Sequence, residues 1–122
     1  MILTILLGLA GLGLVVLVHE LGHFAAARAV GVEVEAFSIG WGPRLFGWKR
    51  GATEWRVSAF PIGGYCRMKG EEDFRKAVAE KSETIPREPG TFYGASPWRR
   101  IAIALSGPVA NVVFAAVVFV AV

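Results

Sequence analysis

A chain of 122 residues suffices for one modest soluble domain or for two membrane helices joined by a loop. Composition favours the second: hydrophobic residues make up 54% of the chain, 18 uncharged residues precede His19, and residues 101–122 carry no charge. The net charge of +3 does not point to nucleic acid, because all 13 Lys and Arg lie between Arg28 and Arg100 among nine of the ten acidic residues, with no basic stripe and no RNA- or DNA-binding motif.

Residues 1–31 predict a first transmembrane helix. A helix over about residues 2–30 would be ~43 Å long, more than a ~30 Å hydrocarbon layer requires, so it tilts or protrudes. Gly8, Gly11, Val15, His19, Gly22 and Ala26 recur at helical spacing and predict a face of small residues for close helix packing. No Lys or Arg precedes Arg28, so the basic region of a cleaved signal peptide is missing and the helix is read as retained. Arg28 suits its last turn and Gly31 its stop.

Residues 32–70 read as strand and turn. Glycines punctuate aromatic and β-branched residues; Trp55, Val57 and Ala59 alternate onto one side; Lys49, Arg50 and Gly51 form the best candidate turn. A small β-hairpin or sheet at the membrane interface is expected. Residues 71–97 are a polar loop with room for one short helix, from Glu71, Glu72 and Asp73 to Pro86 and Pro89. Trp98, Arg99 and Arg100 then anchor a second transmembrane helix over residues 98–122. The expected fold is therefore a mainly α membrane protein, two spans around a small sheet. Lys and Arg in a short loop stay inside, which predicts that residues 32–97 are cytoplasmic and both chain ends outside. The lone Cys66 allows neither an internal disulfide nor a thiolate pair for a metal.

The chemistry concentrates in His19-Glu20-Leu21-Gly22-His23, an HExxH pattern. Histidines four residues apart project from one helix face and can reach one Zn²⁺, with Glu20 just around the helix as general base. Zinc lowers the pKa of a bound water towards ~7, and the glutamate accepts its proton as it attacks a peptide carbonyl. Three polar residues in an apolar helix cost several kcal/mol unless paired or metal-bound. In the second apolar segment, Ser106-Gly107-Pro108-Val109-Ala110-Asn111 stands out. Pro108 frees the carbonyl of Ala104, Gly107 allows close approach, and the Asn111 amide belongs against protein. A kinked packing helix and a contribution to an active site remain equal readings of these residues.

Together, HELGH, PIGGYCRM, FYGASPWRR and GPVAN resemble, over nearly the whole chain, the site-2 protease family of intramembrane zinc metalloproteases, and within it the bacterial branch of regulated intramembrane proteolysis. The resemblance implies zinc on His19 and His23, the catalytic base at Glu20, a membrane-associated β-loop over roughly Val34 to Met68 and a GPxxN pattern on Gly107, Pro108 and Asn111. Gly63 and Gly64 gain a role in presenting substrate, beside their reading as turn glycines. It also implies an inner-membrane, multi-pass protein whose partners are the lipid bilayer and transmembrane substrates such as anti-sigma factors or signal-peptide remnants, with no nucleic acid.

The family's third zinc ligand, an aspartate on a later helix, and its PDZ domains have no counterpart in these residues. The expectation is an N-terminal fragment or truncated frame, inactive alone because a catalytic zinc needs three protein ligands. Two other readings stay open: a membrane-anchored zincin-like protease with a soluble active site, and an inactive two-helix membrane fragment.

Overall fold

The computed structural model describes residues 1–81 and 89–122, with the backbone alone at residues 61 and 72–74. In chain order the elements are α1 (Ile2–Ala29), β1 (Val34–Arg50), β2 (Thr53–Met68), α2 (Glu71–Ala79) and α3 (Pro97–Ala121). Pro86, expected in the polar loop, lies outside the described residues.

No proline interrupts the apolar run of α1, which continues for 28 residues until Val30 donates its N–H to Ala26 and Gly31 turns to φ +83°. Only glycine adopts that conformation without strain, so the helix stops where the sequence indicated. α3 starts at Pro97, where a missing N–H costs nothing, and Ser96 caps it by accepting the N–H of Arg99 at 3.4 Å. Mean hydropathy reaches 2.5 in α1 and 2.2 in α3, and both helices are long enough to cross a membrane.

The sheet is larger than a simple hairpin. β1 and β2 contribute 17 and 16 residues and pair antiparallel around a turn at Gly51, φ +63°. Register shifts over Gly40 to Arg44, with φ +91° at Gly40 and +89° at Gly42, bend the ribbon back on itself. As a result Ala36 to Ile39 have partners on both sides, Gly64 to Arg67 on one and Glu54 to Val57 on the other. The chain is thus a mixed α and β protein, two apolar helices flanking a small sheet. The expectation of a mainly α fold gave too little weight to glycines that let two long strands fold into several rows.

The core lies where the end of α1, the base of the sheet and the start of α3 meet: Ala27, Val32, Val34, Met68 and Ile103, with Phe24, Cys66 and Phe92 packed around it. Ile103 is 2% exposed, and truncating such a side chain to Ala costs about 2–5 kcal/mol. Backbone bonds tie the neighbouring loops to this core: Val32 N–H to Ala27, Glu33 N–H to Gly90, Lys69 N–H to Glu33 and Phe92 N–H to Lys69. Ala27 sits one helical turn beyond His23, so the core anchors the polar part of α1 directly.

The expected small-residue face of α1 is realised only in part. A Cβ on Gly22 would strike the Ser106 carbonyl and the Ala110 side chain, so α1 and α3 cross closely there. At Gly8 and Gly11 nothing lies within 4 Å. The two helices meet around the polar residues and at the core beyond them, not at Gly8 or Gly11.

Candidate active site

His19, Glu20 and His23 occupy the part of α1 held between α3 and β2. Four residues of helix bring the two imidazoles side by side, ring centroids 4.6 Å apart and planes at 81°. Their Nε2 atoms converge to 3.0 Å. Two nitrogens sharing a tetrahedral zinc at ~2.05 Å stand about 3.3 Å apart, so the pair needs only a few tenths of an ångström to take the ion.

The outer nitrogens are engaged by α3. His23 Nδ1 donates to the carbonyl of Ile103 at 2.6 Å, which fixes the tautomer with a free lone pair on Nε2. Ser106 Oγ donates to the same carbonyl at 2.5 Å. The sequence pointed to the Ala104 carbonyl as the one released by Pro108; the side-chain bonds gather one residue earlier, at Ile103. His19 Nδ1 faces the Asn111 amide nitrogen at 3.1 Å, while Asn111 Oδ1 is buried without a partner. Amide nitrogen and oxygen are interchangeable in such an assignment. Turned by 180°, Asn111 offers its oxygen to a protonated Nδ1, satisfies the orphaned atom and frees Nε2 of His19 for a metal. The chemistry of the donor set therefore fits zinc.

Gly107 closes this arrangement. A Cβ there would lie 2.5 Å from His23 Nε2 and 2.7 Å from His19 Nε2 and Cε1, so the rings rest against bare α3 backbone. Of the pattern GPxxN, Gly107 and Asn111 touch the histidines, and Pro108 sits inside the helix between them.

Glu20 turns to the other side and accepts the backbone N–H of Cys66 on β2. Burial, with help from the Glu20 and Glu71 charges, pushes the Cys66 thiol up to about 12, so it stays protonated at neutral pH and offers no nucleophile. Gly63 and Gly64 are packing positions. A Cβ on Gly63 would meet Val16 at 2.9 Å, and one on Gly64 would strike the Ser38 carbonyl and approach Leu17. Their bareness lets β2 lie against α1 one turn before the histidines. Sequence reasoning marked the segment that begins at Ser106 without giving the serine a role, and it missed Ile103 and the Cys66 N–H, because backbone groups leave no mark in a residue pattern.

Among the described residues no three His, Cys, Asp or Glu side chains are grouped to hold a metal. His19 and His23 supply two.

The model of peptidase family M50 matches residues 7–122. The chain belongs to that family. Its relatives agree: it is 52% identical over 116 residues to a protein of Treponema pallidum named "Putative zinc metalloprotease", covering 95% of this chain and 26% of that one. A protein of the same name from Chlamydia trachomatis is 44% identical, covering 97% of this chain and 19% of its own. Metalloprotease MmpA of Caulobacter vibrioides is 44% identical over 121 residues, 88% of this chain and 30% of that protein. The chain thus spans about a fifth to a third of the length of these relatives. The M50 match bears out the site-2 protease resemblance, and the metalloprotease names support protease activity and zinc at the level of the family.

Proposed function

We propose that this chain carries the N-terminal part of an intramembrane zinc endopeptidase of regulated intramembrane proteolysis, with His19 and His23 as metal ligands and Glu20 as general base. The observation that carries the reading is the 3.0 Å convergence of two Nε2 atoms whose rings are both held from behind by α3. Zinc bound there would supply Lewis acidity to water and to the scissile carbonyl. The chain's own residues do the rest. Ile103 and Asn111 set the imidazole orientations, and Gly107 leaves room for them. Glu20, steered by the Cys66 N–H, stands ready to take a proton from the attacking water and return it to the leaving amine. Among the described residues no third His, Cys, Asp or Glu joins the two histidines, so a further ligand has to complete the site and these residues alone are inactive.

Residues 1–31 and 98–122 are then the two spans, 32–70 an interfacial sheet and 71–97 a polar loop, with residues 32–97 cytoplasmic in the inner membrane. Gly63 and Gly64, where β2 meets α1, border the path of an extended transmembrane substrate. Anti-sigma factors and signal-peptide remnants are the substrate classes to test first. A reporter fused after Gly90 that works only outside the cell would overturn the topology.

In the full-length protein, His19→Ala with His23→Ala should remove the one zinc per chain. Glu20→Gln should retain it but lose nearly all cleavage of a transmembrane substrate, since an amide cannot accept the proton. Unchanged zinc content in the double variant, or near-normal cleavage by Glu20→Gln, would sink the assignment.

A further inference from the structure

A recess that neither histidine lines lies where the end of α1 meets the turn between β1 and β2. It is a cavity of about 670 Å³ lined by Phe24 and Arg28 of α1, Glu33 of the connection, and Arg50, Thr53 and Trp55 of the sheet. Its two faces differ in chemistry. Phe24 and Trp55 stack edge to face at 5.1 Å and make an aromatic floor. Arg28 and Arg50 bring two cations.

Those cations are open to a ligand. The sheet's other arginines are held by carboxylates: Arg44 and Arg56 by Glu54, Arg67 by Glu35. Among the described residues Arg28 and Arg50 form no ion pair; Arg28 lies instead over the Phe24 ring at 5.8 Å. The one acid lining the recess, Glu33, is already paired with Lys69 at 3.3 Å. Thr53 spends its hydroxyl hydrogen on the Val34 carbonyl. The C-terminus of α1 contributes a partial negative charge, which Arg28 in the last turn offsets. The net field of the recess favours an anion.

Position decides which anion. Arg28 and Phe24 stand at the end of a 28-residue apolar helix, the level at which lipid headgroups meet hydrocarbon. We propose that this recess binds the phosphate of an anionic phospholipid, with Arg28 and Arg50 on the phosphate and the Phe24 and Trp55 rings against the glycerol and first acyl carbons. Basic pockets at the cytoplasmic end of a span hold headgroups in this way. The site rests on α1 being a membrane span and is independent of zinc.

The test uses the full-length protein in neutral detergent, with bound lipid counted by native mass spectrometry after exposure to equal amounts of phosphatidylglycerol and phosphatidylcholine. Two cations near the surface predict a preference of about thirty-fold for phosphatidylglycerol, with about five-fold lost in each of Arg28→Gln and Arg50→Gln. Lys76→Gln with Lys81→Gln, which removes two exposed charges outside the recess, should leave the preference intact. Equal retention of both lipids by the wild type, or an equal loss in the lysine variant, overturns the site. Glycerol phosphate competing as well as the lipid overturns the lipid assignment in favour of a soluble phosphate. Zinc content should not change in any of these variants. Protein that stays soluble without detergent would refute the span itself, an outcome distinct from losing the lipid preference alone.

Discussion

The two halves of α1 belong to one mainly apolar helix and live in different surroundings. Every residue from Met1 to Leu12 is exposed, Ile2 at 74% and Leu7 at 63%, and the glycines at 8 and 11 face open space. From Val16 onward the same helix is packed against β2 and α3, and there a glycine is the only residue that fits at position 22. The apolar length of the whole helix satisfies the requirement for a span and does not by itself show which part is packed. The lesson is that in an apolar helix the polar residues mark the packed part, since His19, Glu20 and His23 each need a protein partner and the surrounding small residues make room for those partners.

This difference yields variants whose effects should fall off with distance from the histidines. The largest belongs to Gly107→Ala. A methyl 2.5 to 2.7 Å from two ring nitrogens has to push at least one imidazole off its position, since the helix backbone behind it cannot retreat. Zinc affinity of the full-length protein should fall by a hundredfold or more, about the upper end of what disturbed ligand orientation costs. Normal zinc content and cleavage in Gly107→Ala would mean that α3 does not seat the imidazoles.

Next in size is Asn111. Asn111→Leu removes the group that orients His19 and should weaken zinc binding about ten- to hundredfold. The more telling variant is Asn111→Asp, which can only accept. If the amide oxygen is what faces Nδ1–H, the aspartate retains zinc far better than leucine does; if the nitrogen faces it, aspartate and leucine fail alike. Equilibrium zinc competition with a chelator reads the two cases.

How much of this was legible in the sequence depends on what each feature requires of a residue. HExxH is a side-chain pattern with a fixed period, so His19, Glu20 and His23 could be read directly, and Gly31 and Gly51 could be placed because a stop and a turn demand positive φ. The pattern GPxxN marked α3, and two of its members do meet the histidines. The Ile103 carbonyl could not be read, since every residue has one and only the packing of α3 against His23 selects it. The bending of β1 at Gly40 and Gly42 was hidden for a related reason: local alternation predicts strands, whereas which rows become neighbours is settled by tertiary pairing. The recess between Arg28 and Arg50 joins residues 22 positions apart and has no local signature.

The smallest effects should separate the halves of α1 most sharply. Gly22→Ala drives a methyl into the Ser106 carbonyl and the Ala110 side chain, and because the first of these is backbone, the helices have to move apart. Such overpacking costs about 1–3 kcal/mol. Gly8→Ala and Gly11→Ala meet nothing within 4 Å, and alanine is the better helix former by up to about 1 kcal/mol, so each should be neutral or slightly stabilising. The comparison is made on thermal unfolding of the full-length protein in detergent, with all three single variants measured together. If Gly8→Ala or Gly11→Ala destabilised as much as Gly22→Ala, the outer half of α1 would have a packed partner of its own, and the contrast between the halves would belong to these 122 residues rather than to the whole protein. If none of the three had an effect, the close crossing of α1 and α3 that seats the histidines would be wrong.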